Sequence, residues 1–325
     1  MKIAVVGCGA LGSFYGAKLC QLGEQVHFLL RSDYEVVRQR GVSVRSPWGD
    51  FHVQPRCART PEEIGPSDLA LIGLKTTAND QLARLLPPLV GPKTAILTLQ
   101  NGLGSEERLA ALFPREQVVG GLAFVCLNRV EPGLIHHIDH GRIIIGEFRR
   151  AAQPRTHQIA EMFRRAGVPC DVTDNLAVSH WDKLAWNIPF NGLGVASSAG
   201  YERVIAAELK SSPHGPCLTT DLLLADARWN KLVRELMAEV VHTAQKLGLP
   251  LGEEVIDQQI ARTLTMGAYK PSTVLDFERG QPLELESMFA EPLRQAQNAK
   301  ASTPRLAALV CLLANLNPRH SPIRR

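Results

Sequence analysis

Lys183, Asn187 and Asn191 recur at i, i+4 and i+8 within LAVSHWDKLAWNIPFN, residues 176–191. That spacing puts an ammonium and two amides on one helix face, provided the helix persists to Asn191. Such a face can bind and protonate a polar anionic ligand; a solvated helix face is the plain alternative. Gly7, Gly9 and Gly12 stand at G-x-G-x-x-G spacing in MKIAVVGCGALG, residues 1–12. In a strand–turn–helix context Gly7 allows the tight turn, Gly9 lets the backbone approach a pyrophosphate, and Gly12 lets helix and strand pack closely. The helix start adds free N–H groups and the positive end of its dipole. The turn 7–12, with Cys8, Ala10 and Leu11 between its glycines, is therefore the candidate nucleotide site. A tight turn with nothing bound is the alternative.

Arg31 lies nineteen residues beyond Gly12, at the end of the apolar run QVHFLL (25–30). An acidic residue there bonds a ribose 2′-hydroxyl, whereas an Arg offers its fork of donors to a 2′-phosphate. The reading is NADP(H) over NAD(H), with Asp33 as a rival ribose partner and a solvated Arg as the plain alternative. Lys75 ends DLALIGL (68–74), and Asn101 follows TAILTLQ (94–100). Ligands of open α/β sheets lie beyond the carboxyl ends of strands, so both residues fall at the expected crevice. A surface Lys and a turn-forming Asn-Gly are the alternatives. His136, His137 and His140 in IHHIDHG (135–141) sit in an alternating strand-turn pattern with no fourth ligand nearby. They read as surface hairpin histidines, with no metal site.

These side chains need a scaffold. Residues 3–6 are apolar and β-branched, as a strand buried on both faces requires. Residues 11–22 keep Leu11, Tyr15, Leu19 and Leu22 on one helical face. Residues 41–53 alternate around a turn at 47–50 and predict a hairpin. Further strands are expected at 117–126 and 168–172, and a helix at 157–166. After Thr173 helical periods replace strand-like runs. The expected domains are 1–173, NADP-binding, and 174–325, helical and catalytic. In the second, Trp181, Leu184, Ala185 and Ile188 form an apolar stripe. Residues 197–221 are poorly periodic, with Ser211, Ser212, Pro213, Gly215 and Pro216 clustered, and predict a loop-rich insertion. Residues 225–247 predict a helix with Val233, Leu236, Met237, Val240, Ala244 and Leu247 inward. Another is expected at 252–264, and a short one at 271–279 with Ser272 as N-cap. Glu284 opens the next helix, Pro304 suits the start of the last, and HSPIRR is a loose basic tail.

With 45% hydrophobic and 21% charged residues in 325, the chain is ordinary globular material for two domains. A net charge of +4 is too small to argue for nucleic acid and fits an anionic small ligand. Seven scattered cysteines without a C-x-x-C pair read as reduced thiols of a cytoplasmic protein. No signal peptide or membrane-spanning run is expected.

GCGALG (7–12), Arg31, LK (74–75), QNGLG (100–104), WDKLAWNIPFN (181–191) and the interval from Ser272 to Glu284 together resemble the ketopantoate reductases (2-dehydropantoate 2-reductases). The likeness runs nearly the whole chain. It implies an α/β fold, an N-terminal Rossmann-type parallel sheet with a second, all-helical domain like that of 6-phosphogluconate dehydrogenase. It also implies NADPH-dependent reduction of 2-dehydropantoate to pantoate, in the pathway to pantothenate and coenzyme A. By the same resemblance Lys183 matches the proton donor. Asn101, Asn187, Asn191 and Ser272 match substrate contacts, with Asn101 also serving the cofactor. Glu284 matches an acid reaching the cofactor and substrate hydroxyl region. Cys126 falls where the family has a small Ala lining the cofactor site. The stretch 192–221 is longer than in the best-known members. The expected partners are a small-molecule 2-oxo acid and a second copy in a homodimer, with no nucleic acid and no membrane. A sibling dehydrogenase for another 2-oxo acid or an imine, and a non-enzymatic NADP(H) sensor, are the rival readings.

Overall fold

The structure, a computed structural model, describes residues 1–206 and 215–317. Its first compact unit is Met1–Leu176. Among the described residues ten strands form one sheet: β1 (Lys2–Val6), β2 (Gln25–Leu29), β3 (Val42–Arg45), β4 (Phe51–Val53), β5 (Arg56–Ala58), β6 (Ser67–Ile72), β7 (Val90–Thr98), β8 (Val118–Glu131), β9 (Leu134–Glu147) and β10 (Cys170–Val172). Their order is β4-β3-β9-β8-β7-β6-β1-β2-β5, with β10 beside β9. From β8 across to β5 every neighbouring pair is parallel. β9 runs antiparallel to β8, and β3 and β4 form the expected hairpin.

The uninterrupted apolar run of β1 has a physical purpose. Alternate side chains of a strand take opposite faces. Ile3 and Val5 enter one core with Phe14, Tyr15 and Leu19 of the helix Ala10–Gln21, while Ala4 and Val6 enter another with Ile72, Leu82 and Ile96. Both faces are covered, so neither tolerates a polar residue. His137 departs from the surface expectation. It is buried, its ring against Phe14 and Trp48, with Nδ1 2.8 Å from Ser46 Oγ and Nε2 2.8 Å from the His140 carbonyl oxygen. The alternation of β9 turned His137 inward, whereas His136 and His140 are exposed.

The second unit begins at Ala177 and contains no strand among the described residues. Its first long helix, Leu176–Ala196, runs beyond the expected end and passes through Pro189, Gly192 and Gly194. Tight packing explains the extension. A Cβ on Gly192 would lie 2.6 Å from Leu309, and one on Gly194 2.5 Å from Val274. The glycines let the helices Pro304–Leu316 and Ser272–Glu278 approach, and that burial outweighs their low helix propensity. The Ser197 and Ser198 hydroxyls donate back to the Gly194 and Val195 carbonyls at 2.8 and 2.7 Å, and the helix ends there.

The loop expected at 197–221 is only partly one. A 3₁₀ turn Ser197–Ala199 and helices Tyr201–Ala206 and Thr220–Ala225 occupy much of it. Ser211, Ser212 and Pro213 of that stretch, and the tail HSPIRR, lie outside the described residues. Helix Ala227–Lys246 buries Val233, Leu236, Met237, Val240 and Ala244, with Asp226 accepting from the backbone N–H groups of Arg228 and Trp229 as its cap. Leu247 follows that helix as its C-cap and is exposed, not inward. Glu254–Leu264, Glu291–Asn298 and Pro304–Leu316 complete the unit's longer helices. No helix among the described residues is long and apolar enough to cross a membrane.

Candidate active site

Three parallel pairings bring four strand ends together. Leu29 pairs with Val6, Val6 with Ile72, and Ile72 with Thr98. The residues just beyond those ends are Arg31 after β2, the glycine turn after β1, Lys75 after β6 and Asn101 after β7. Contacts knit them into one edge. Gly7 has φ +96°, and a Cβ there would lie 2.3 Å from the Leu74 nitrogen. A Cβ on Gly12 would lie 2.2 Å from the Gly7 oxygen. Only glycine permits this turn to nest against its own helix and against the residue before Lys75. Gln100 is buried and braces the next interval, its Nε2 donating to the Leu74 carbonyl at 2.9 Å and to Asn79 Oδ1 at 2.7 Å. In the sequence Gln100 stands out only as the first residue of QNGLG (100–104), with no sign of this bracing role, and Asn79 carries no signal.

The turn fits a dinucleotide phosphate. Gly9 is the N-cap of Ala10–Gln21 with no side-chain cap, and a Cβ on it would meet nothing within 4 Å. Open space therefore faces the uncapped N–H groups of a helix start, where an anion is stabilised. Ala10 and Leu11 supply the first helical residues, and the Ser13 hydroxyl holds the Cys8 carbonyl at 3.0 Å. Arg31 is exposed at the neighbouring strand end. Asp33, the rival ribose partner, is buried, ion-paired with Arg129, and receives the Ser32 hydroxyl at 2.8 Å. Its carboxylate is committed within the protein, while the Arg31 fork faces solvent. Cys126 is buried on the part of β8 that runs beyond its pairing with β7.

The second group lies in the helical unit. Lys183, Asn187 and Asn191 do share one face of Leu176–Ala196. Lys183 is half-buried, and burial pulls its ammonium down from 10.5 to about 8, opposed by the nearby Glu284 carboxylate. Asn187 is buried, and its Nδ2 has no hydrogen-bond partner among the described residues. A buried donor is costly unless something accepts from it. Asn191 lies deeper, 1% exposed. Its Nδ2 is 3.4 Å from Asn187 Oδ1, and its Oδ1 accepts the Thr273 backbone N–H at 3.0 Å.

That last bond corrects the reading of Ser272. Pro271, not Ser272, is the N-cap of Ser272–Glu278, and Ser272 is its exposed first residue. The capping acceptor comes from Asn191 on another helix, 82 residues away in sequence. Glu284 is buried just before a π-helical turn, Glu286–Ala290, rather than at the start of a regular α-helix. Such turns recur at functional sites because the extra residue re-aims neighbouring side chains. Among the described residues no three His, Cys, Asp or Glu side chains gather as a metal site.

A Rossmann-type unit with an uncapped phosphate turn, joined to a helical unit holding a desolvated lysine, defines a two-domain nucleotide-binding oxidoreductase. The family model described as ketopantoate reductase PanE/ApbA matches residues 3–150, and its C-terminal counterpart matches residues 216–317. A 2-dehydropantoate 2-reductase of Nostoc sp. is 37% identical over 98% of this chain and 96% of its own. A crystal structure of 2-dehydropantoate 2-reductase from Geobacter metallireducens superposes with TM-score 0.88 at 45% identity, covering 97% of this chain and 99% of that one. One from Methylococcus capsulatus gives 0.86 at 33%, covering 99% and 98%. The chain belongs to the ketopantoate reductase family.

Proposed function

We propose that the protein reduces 2-dehydropantoate to pantoate with NADPH. The observation that carries this reading is the face bearing Lys183, an ammonium softened to about 8, beside an Asn187 donor that no described residue satisfies. NADPH, when bound, supplies the hydride that C2 of the oxo acid accepts. Lys183 holds the carbonyl oxygen, stabilises the negative charge that grows there, and gives it a proton to complete the hydroxyl. With its pKa near 8 the group is roughly ten parts ammonium to one part amine at pH 7, yet far more acidic than an ordinary lysine. Glu284 sustains that charge. Asn187 Nδ2 donates to an oxygen of the bound acid, and Asn191, whose Nδ2 lies 3.4 Å from Asn187 Oδ1, helps hold that amide in place. Ser272 adds a hydroxyl at the rim.

On the sheet edge the turn from Gly7 to Gly12 receives the pyrophosphate. Arg31 takes the 2′-phosphate, Lys75 adds positive charge, Asn101 orients the nicotinamide and substrate, and Cys126 lines the wall. The seven cysteines are free thiols, which suits a cytoplasmic enzyme. A homodimer completes the proposal and is read by light scattering on the purified chain.

The test follows NADPH and NADH absorbance across a set of 2-oxo acids and an imine. Turnover highest with 2-dehydropantoate and NADPH supports the proposal. A better substrate elsewhere in the set replaces the substrate assignment, and cofactor binding without turnover on any of them overturns the enzyme reading.

A further inference from the structure

One aromatic pair in the helical unit has no part in proton transfer. Trp186 lies one turn beyond Lys183 and immediately before Asn187, about 60° round the helix from the ammonium. Its indole Nε1 donates to Thr263 Oγ1 at 2.9 Å, and Thr263 Oγ1 in turn donates to the Gln259 carbonyl at 2.6 Å. Behind it stands the fully buried Phe190, ring centroids 5.1 Å apart. These contacts lock the ring. On another side is Tyr269, centroids 6.2 Å apart and tilted 43°. Tyr269 lies three residues before Ser272 in the connection leading to Ser272–Glu278, and its carbonyl accepts the Thr220 backbone N–H at 3.0 Å. Both rings are half-buried, so each keeps some apolar surface uncovered.

We propose that Trp186 and Tyr269 form the wall that selects the alkyl group on C2 of the oxo acid, favouring a bulky branched group over a methyl. The inference rests on the reductase reading above. Each ring stands close in sequence to polar groups assigned to the substrate: Trp186 between Lys183 and Asn187 on one helix, and Tyr269 three residues before Ser272. A 2-oxo acid anchored through its polar end at those groups turns its remaining carbons toward the rings. 2-Dehydropantoate carries a quaternary C3, and its two methyl groups match a rigid apolar surface. Pyruvate has nothing to offer the wall. One or two extra carbons on such a surface discriminate by tenfold or more. Because Trp186 is held by an indole N–H bond and a buried ring, it presents that surface without paying to order itself.

The experiment compares kcat/KM for 2-dehydropantoate and pyruvate in the wild type, Trp186→Ala, Trp186→Phe and Tyr269→Leu. NADPH binding is measured on each variant to verify the folded state. The wild type is expected to favour the branched acid strongly. Trp186→Ala lowers that preference about tenfold or more, chiefly through KM, and Tyr269→Leu lowers it in the same sense. Trp186→Phe keeps most of it. If both substrates fall equally in Trp186→Ala and Tyr269→Leu, the rings serve packing alone and the wall is overturned. If the wild type reduces no 2-oxo acid, the reductase reading fails and takes the wall with it.

Discussion

In the proposed role Lys183 acts only while protonated, and its environment sets the pH range in which it would do so. Burial disfavours the ammonium and Glu284 favours it, with a net value near 8. The rate of reduction should therefore be level below that pH and fall about tenfold per unit above it, as the acid is lost. Glu284→Gln removes the supporting charge and should move the break to lower pH. Lys183→Ala should cut kcat by about a hundredfold or more, with NADPH affinity unchanged by calorimetry. Near-normal turnover removes Lys183 from the donor role. Arg31→Ala should weaken NADPH far more than NADH in the same titration, because only NADPH carries the 2′-phosphate.

At the scale of elements, the bond from Asn191 to Thr273 N–H joins two helices that bear assigned substrate groups. Asn191→Ala leaves that N–H uncapped and frees the Asn187 amide. It should cost about 1–2 kcal/mol in denaturant unfolding, and it should raise KM for the oxo acid while leaving NADPH binding intact. Gly194→Ala forces a methyl against Val274 and should cost about 1–3 kcal/mol. These same contacts show where sequence is legible and where it is not. Local signals were sufficient for the glycine turn, the buried strands and the shared face of Lys183 and Asn187, because each follows from spacing within one element. The end of Leu176–Ala196 was not legible. Pro189, Gly192 and Gly194 read locally as breakers, and only neighbours far along the chain make them an asset. Ser272 was misread for the same reason, since a local cap signature says nothing of an acceptor delivered by another helix. His137 was hidden by its companions: alternation buries one histidine of the run and exposes the next.

At the scale of the molecule, the first unit is tied together by an ionic knot away from the assigned groups. Glu147 ends β9 fully buried and accepts from Arg155 at 2.9 and 2.6 Å, from the Thr156 hydroxyl at 2.6 Å, and from Arg150 at 2.8 Å. The knot clamps the start of the helix Pro154–Arg165 to the sheet. Burial pushes the Glu147 carboxyl up, but Arg155, Thr156 and Arg150 together outweigh it and hold the group below its ordinary 4.5. A depressed carboxylate stabilises the fold above its unfolded pKa and loses that contribution as pH falls. Stability should thus decline below about pH 4.5, and Glu147→Ala, which leaves two part-exposed arginines and the Thr156 hydroxyl without their acceptor, should cost about 1–3 kcal/mol at neutral pH. Melting followed by circular dichroism across pH checks both.

The tether between Asp33 and Arg129 has a consequence for anyone wishing to recode the coenzyme. An acid suited to an unphosphorylated ribose already stands two places from Arg31, but it is spoken for. Exchanging Arg31 alone should abolish one preference without creating the other. Releasing Asp33 by also replacing Arg129 supplies the missing acceptor, but leaves a buried negative charge without its ion-pair partner. A switch of coenzyme in this scaffold is a two-site change that trades away robustness, and it needs a reinforcing substitution elsewhere to survive.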